Sequence, residues 1–435
     1  MMQTIDLRSR RLSRSELLDA IPRPVVDVSV ASEAARALIS EVRSGGSNAL
    51  LAQAERLDKV RPAHVRVPET DIDGALASLD SDLRAALESA IDRVRRGTAA
   101  QVPPQRTVDI APGATIVQRW QPVDRVGLYV PGGKAPLASS VIMNAVPAQV
   151  AGVSSIALAS PPQREHDGGV HPTILAAAGL LGITEVYAMG GAGAIGALAY
   201  GVPDIDLRPV DVVTGPGNIY VAAAKRLVRG QVGIDSEAGT TEILVIADGT
   251  AKASLIAADL VSQAEHDEAA ASVLVTDSPA LARDVALELE GLVERTENGE
   301  RVRAALSGPQ SAIVLVDDVV LAADFSNAYG PEHLEIHTHD PRATLQHITS
   351  AGAIFLGPHS PVSLGDYMAG SNHVLPTGGQ ARFSSGLGAY TFLRPQQVIE
   401  YHETALREVS ERIVTLAQAE RLPAHGEAIS ARFTD

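Results

Sequence analysis

Apolar positions along this chain fall into successive rhythms. From about Ala31 to Arg96 they recur at helical spacing with few β-branched runs, and from Val102 to Trp120 they read as extended segments broken by turns. From Arg125 short apolar strands alternate with Ala-rich helical stretches, the strands expected at residues 126–130, 155–159, 185–189, 211–213 and 232–234. A second series follows at 242–247, 272–276, 311–316, 334–337 and 353–356. This β-α alternation predicts parallel sheets, so the expected fold class is α/β, with two tandem doubly wound, incomplete Rossmann-like units. After Gly386 the strand pattern stops, and residues 396–419 predict a helix. The expected division is an N-terminal segment 1–24, a first α/β domain from 25–128 plus 241–385, a second α/β domain 129–240, and a helical C-terminal tail 386–435. A tail of about fifty residues cannot bury a large core alone and must dock on its own chain or on a partner subunit.

Composition narrows the function classes. Apolar residues make up 45% of the 435 residues and charged residues 20%, as in an ordinary globular protein. A net charge of −16 argues against a nucleic-acid or anionic-membrane partner, both of which call for a basic footprint. There is no cysteine, so disulfides and thiolate chemistry are excluded, and any metal site must use nitrogen and oxygen ligands. Residues 1–14 are charged and lack the apolar run of a secretory signal. The most apolar stretch, 173–202, is interrupted by Glu185 and a glycine cluster and reads as helix–strand–helix. The expectation is a soluble, cytoplasmic protein.

Three Gly-rich turns follow expected strands: Pro131-Gly132-Gly133, Gly190-Gly191-Ala192-Gly193 and Gly215-Pro216-Gly217-Asn218. Ligands of open parallel sheets bind beyond the carboxyl ends of the strands, where glycine lets backbone amides approach a bound group. Residues 191–196 also spell the G-x-G-x-x-G fingerprint of dinucleotide sites. It lies some sixty residues into its domain, and Asp211 is the nearest candidate for the expected acidic partner. Close packing through small residues explains it at least as well. The three turns together are better evidence for a nucleotide crevice.

Polar residues interrupt the apolar faces at four places: 262–267, 330–334, 364–367 and 422–426. A helix is expected over 251–267, and with Ile256 and Leu260 at the centre of its buried face, Gln263 and His266 look inward together while Glu265 points away. Inward polar groups need partners, whether as a hydrogen-bonded core histidine or as metal ligands. Asp366 and His425 could complete a metal site, although spacing does not show that they meet. Glu332 and His333 fall between a helix at 319–329 and a strand starting at Leu334, as an exposed polar turn or as a base with an adjacent carboxylate. The loop 363–379 carries Asp366, Tyr367, Asn372 and His373.

At these residues the chain resembles the histidinol dehydrogenase family over almost its whole length. The resemblance rests on Thr214-Gly215-Pro216-Gly217-Asn218-Ile219-Tyr220-Val221, Ser262 to Glu268, Pro331-Glu332-His333-Leu334-Glu335 and Ser371-Asn372-His373-Val374-Leu375-Pro376-Thr377. It implies oxidation of L-histidinol through an aldehyde to L-histidine, with two NAD and one zinc per active site. Implied zinc ligands are Gln263, His266, Asp366 and His425, to which the substrate's imidazole and amine would add. His333 is the implied base and Glu332 the activator of water. Thr241, Tyr367, His373 and Glu420 would join these residues around the substrate, and Tyr129, Gly193 and Asn218 would lie near NAD. The resemblance further implies a homodimer whose C-terminal segments exchange, carrying His425 and Glu420 into the other subunit's site. Two departures stand out: the family usually has Gln at Gly193, and Pro-Ser where this chain has Thr240-Thr241. Competing readings are a related zinc and NAD enzyme for another small alcohol such as a sulfonated diol, a zinc hydrolase, and a non-catalytic binding protein.

Overall fold

The computed structural model describes residues 2–10, 12–23, 28–132, 136–237 and 239–433, with residues 28–30 described by backbone alone. Gly133 of the first expected glycine turn lies outside them. The chain divides into two compact units, one of residues 1–101 and 124–392, the other of 102–123 and 393–435.

Two parallel sheets build the larger unit. One contains β1 (Gln3–Asp6) and, after the smaller unit's β2 (Arg106–Ala111) and β3 (Ala114–Pro122), the other starts with β4 (Arg125–Tyr129). The second sheet continues with β5 (Ser155–Ser160), β6 (Val186–Ala188), β7 (Val212–Thr214) and β8 (Gly233–Ile234), in the order β6-β5-β4-β7-β8. The first sheet resumes with β9 (Glu242–Ala247), β10 (Ala271–Thr276), β11 (Ala312–Leu315), β12 (His333–His337) and β13 (Ala353–Leu356), in the order β1-β11-β10-β9-β12-β13. Apart from the edge strand β1, the chain in each sheet starts at an inner strand, steps outward twice, then crosses back to the other side. The places where the winding reverses are β4/β7 and β9/β12, the expected ligand positions of such sheets. Strands β9 and β10 are buried at every residue, as strands covered on both faces must be.

The N-terminal segment is part of the fold: β1 pairs in parallel with β11, Gln3 opposite Ala312. The packing also groups the chain differently from the sequence pattern. Strand β4 belongs to the five-stranded sheet. The Val28–Gln53 helix packs on the helices Gly191–Tyr200 and Ile219–Val228, Glu69–Ala77 packs on Pro172–Leu180, and Ser81–Ala99 packs on Ala138–Ala151. These helices thus pack chiefly on 129–240, and Arg93 and Gly97 also meet Met368 and Gly370 of the segment 241–385. Helical periodicity tells which face a helix buries but not what covers it.

In the smaller unit, β2 and β3 form a hairpin at Gly113, whose φ of 77° favours glycine. Strand β14 (Leu393–Tyr401) joins β3 antiparallel over nine residues, and the helices Glu403–Ala419 and Pro423–Ser430 pack together after it. The tail is thus not purely helical. Only Leu393 of β14 is buried, so the strand carries no apolar alternation. Among the described residues no helix is long and apolar enough to cross a membrane.

Candidate active site

The polar stretches around Gln263 and Glu332 meet at the amino ends of β9 and β12, which pair in register with His333 opposite Ile243. Helix Val319–Tyr329 ends at Gly330, which takes a left-handed φ of 59°, and Pro331 turns the chain into the strand. Strand β12 begins at His333 itself. Both members of the pair are buried, Glu332 at 6% exposure and His333 at 5%, so this is no exposed turn.

The segment Thr241–Glu242 holds the pair. Glu332 Oε2 accepts from the Thr241 hydroxyl at 2.6 Å and from the Glu242 backbone N–H at 2.9 Å. His333 Nδ1 lies 3.2 Å from the Glu242 carbonyl, which can only accept, so Nδ1 carries the proton and Nε2 is the basic nitrogen. Burial pushes the Glu332 carboxyl up to about 8, against the hydrogen bonds from Thr241 and Glu242. Burial also lowers the pKa of His333, against the pull of Asp366. One group is thus biased to stay protonated and the other to stay neutral, a division that suits acid–base work near neutrality.

Thr241 also accepts from Gln263 Nε2 at 2.6 Å, so one hydroxyl orients both Gln263 and Glu332. Gln263 Oε1 is left buried without a hydrogen-bond partner, as a ligand atom awaiting a cation would be. The helix Ala253–Ala264 stops before His266, contrary to the expected helix to residue 267. His266 is consequently exposed and lines the cavity. Its Nδ1 donates to the last-turn carbonyls of Ser262 and Gln263, leaving Nε2 available. Glu265 points elsewhere: its carboxylate accepts from Asn298 and its carbonyl from Arg301.

Asp366 and Tyr367 sit on a short helix, Val362–Tyr367, inside the expected loop. His373 follows, its Nδ1 donating to the Asp366 carbonyl at 3.1 Å and its Nε2 accepting from the Ser140 hydroxyl at 3.2 Å. Burial lowers the pKa of His373, opposed by Asp366 and reinforced by His333 and His266. These four side chains therefore share one electrostatic neighbourhood. With both ring nitrogens engaged, His373 is held as a fixed wall. Tyr367 is 56% exposed. Glu420 and His425 belong to the smaller unit, where both are exposed on its helical pair.

A cavity of about 890 Å³ reaches the carboxyl end of the five-stranded sheet and borders this corner at Thr241, Glu242 and His266, and not at Gln263, Glu332 or His333. His266, Thr241 and Glu242 line one part, and Pro216, Gly217 and Asn218 line another. Asn218 caps the helix Ile219–Val228 by accepting from the Tyr220 and Val221 amides. The turn before it is clamped from inside: Gly215 donates to Asp235, its carbonyl accepts from Lys225, and Lys225 and Asp235 form a buried ion pair. Sequence reading missed this clamp, although a lysine among the apolar residues of helix 219–228 was its signal. Arg23, which bridges Glu242 at 2.9 Å and lines the cavity, carried no such signal.

Tyr129 and Gly193 are placed differently from Asn218. Neither lines the cavity. Tyr129 is buried and its hydroxyl accepts from the Gly191 amide, fixing the second glycine turn. Gly193, expected beside the dinucleotide, faces the Val28–Gln53 helix, where a Cβ would run into the Gln53 side chain. Gly196 meets Ile39 of the same helix. The apparent dinucleotide fingerprint is thus a close helix–helix contact, and Asp211 serves the structure by accepting from the amides of Asp124 and Arg125.

Comparison with known proteins agrees with this architecture. The histidinol dehydrogenase family profile matches residues 21–433. The chain is 68% identical to histidinol dehydrogenase of Leifsonia xyli over the full length of both, and 54% identical to that of Corynebacterium glutamicum over 100% of this chain and 98% of the relative. The crystal structure of histidinol dehydrogenase from Elizabethkingia anophelis superposes with a TM-score of 0.93 at 33% identity, covering 99% of this chain and 98% of that one. The chain belongs to the histidinol dehydrogenase family.

Proposed function

We propose that the chain oxidises L-histidinol through L-histidinaldehyde to L-histidine, the closing step of histidine biosynthesis, passing two hydrides to NAD. The observation that carries this reading is the buried Glu332–His333 pair beside Gln263, with His333 Nε2 unprotonated and Gln263 Oε1 unpartnered. Gln263, His266 and Asp366, together with His425 from the tail of a second copy in a homodimer, would hold zinc through nitrogen and oxygen alone. When bound, the zinc orients the substrate's imidazole and amine, and NAD takes up hydride.

His333 Nε2 accepts the alcohol proton as hydride leaves the carbinol carbon. Glu332, once ionised, takes a proton from the water that adds to the aldehyde, while His333 returns the alcohol proton to the aldehyde oxygen and is neutral again. His333 then accepts a proton from the resulting hydrate as the second hydride departs. Thr241, Tyr367 and His373 line the substrate, with Glu420 from the second copy's tail. Asn218, at a helix amino end beside the cavity, is the supported NAD contact.

The test is NADH released from histidinol, with and without a chelator. Two NADH per histidine, abolished by chelation and restored by zinc, is the expected outcome. No NADH from histidinol would overturn the assignment.

A further inference from the structure

Strand β12 carries more chemistry than its first residue. Alternate residues face one side of a strand, so Glu335 and His337 continue the face that begins with His333. Asp259, one turn before Gln263 on the Ala253–Ala264 helix, faces them. One ligand atom each from Asp259, Glu335 and His337 lies within 4.8 Å of the others. The surroundings are apolar, with Ile256, Leu260, Phe355 and Val362 in the same core cluster.

Two of these atoms lack a hydrogen-bond partner although they are buried: Glu335 Oε2 and His337 Nε2. Their side chains are 0% and 4% exposed, and the two atoms stand 3.3 Å apart. Tetrahedral zinc with ligands at about 2.0–2.1 Å separates neighbouring donor atoms by about 3.4 Å. The other Glu335 oxygen is already fixed, accepting from the Val362 amide at 2.9 Å. Two carboxylates converging in an apolar core need positive charge between them.

We infer that Asp259, Glu335 and His337 form a second divalent-cation site, separate from the residues around Gln263 and taking a zinc-class ion through two oxygens and one nitrogen. The site is empty. An ion here would bind together the helix carrying Gln263, the strand carrying His333 and, through Val362, the short helix carrying Asp366. Its role is to brace the site, and the inference does not depend on the reaction proposed above.

The test is zinc bound per chain after chelation, reloading and gel filtration. Wild type is expected to hold about two equivalents, and His266→Ala and His337→Gln about one each. Zinc should still raise the thermal midpoint of stripped His266→Ala, and no longer that of His266→Ala/His337→Gln. If His337→Gln does not fold, Asp259→Asn, at a half-buried position, is read in the same way. Full zinc retention in the folded His337→Gln or Asp259→Asn variant would overturn the site and leave the three groups sharing a proton. Zinc lost in His337→Gln but unchanged in His266→Ala would support this site and count against the other.

Discussion

The Thr241 hydroxyl is the smallest group on which the candidate site turns, because it donates to Glu332 and accepts from Gln263. Thr241→Val leaves Gln263 Nε2 unpaired and takes from Glu332 one of its two hydrogen bonds, at a cost of about 1–3 kcal/mol in stability. Zinc affinity should fall roughly 10–100-fold in the same variant, as for lost partners of metal ligands. Thr241→Ser should recover both, and an unchanged zinc affinity in Thr241→Val would rule out the orienting role. Within the proposed catalytic pair, His333→Ala should lower kcat by about 10²–10⁴-fold. Glu332→Gln should spare the alcohol step and slow the aldehyde step, which single-turnover assays from histidinol and from the aldehyde would separate. Equal slowing of both steps would contradict the division of labour.

Elements were legible wherever burial imposed a period, and illegible where a neighbour decided the outcome. Ten of the eleven strands of the two parallel sheets read as apolar runs, and the edge strand β1 does not. Strand β14 does not, since a partner strand and not a buried face holds it. The inward direction of Gln263 followed from helical geometry, whereas His266 lies beyond the helix end, a boundary that geometry alone does not set. Buried Glu332 and His333 looked like a turn because the covering segment Thr241–Glu242 is ninety residues away in sequence. The ligand set and the catalytic roles came from resemblance. Gly193 gives the sharpest test at this scale. Gly193→Gln should strain the contact with the Val28–Gln53 helix and destabilise the chain by about 1–3 kcal/mol in urea unfolding. Gln53→Ala should relieve much of that loss, and additive effects of the two changes would argue against contact.

For the whole molecule, two expectations concern charge and assembly. The buried Glu332 carboxyl, at about 8, lies above its ordinary value of 4.5, so the native chain binds a proton that the unfolded chain releases. That stabilisation is full below the unfolded value and is lost as pH rises through about 8. The thermal midpoint of the metal-free protein should therefore fall between about pH 5 and pH 8 and level off above, less steeply in Glu332→Gln. Asp259, also near 8, adds to the same fall in both proteins. Equal slopes would remove Glu332 from this account. Tail exchange is tested by mixing inactive chains: His333→Ala and His425→Ala subunits should form hybrid dimers with about a quarter of all sites intact. No activity after exchange of subunits would argue that each chain uses its own tail.

The pairing of β1 with β11 has a consequence for biosynthesis. Residues 3–6 leave the ribosome some three hundred residues before their strand neighbours, 312–315. During that interval the first strand has no edge to join, while the sheet built from residues 125–234 can already close on local crossovers. The two sheets should thus mature in sequence, with the corner containing Glu332 and His333 assembled late. Nascent chains stalled between the two sheets should show protease protection in the five-stranded half alone.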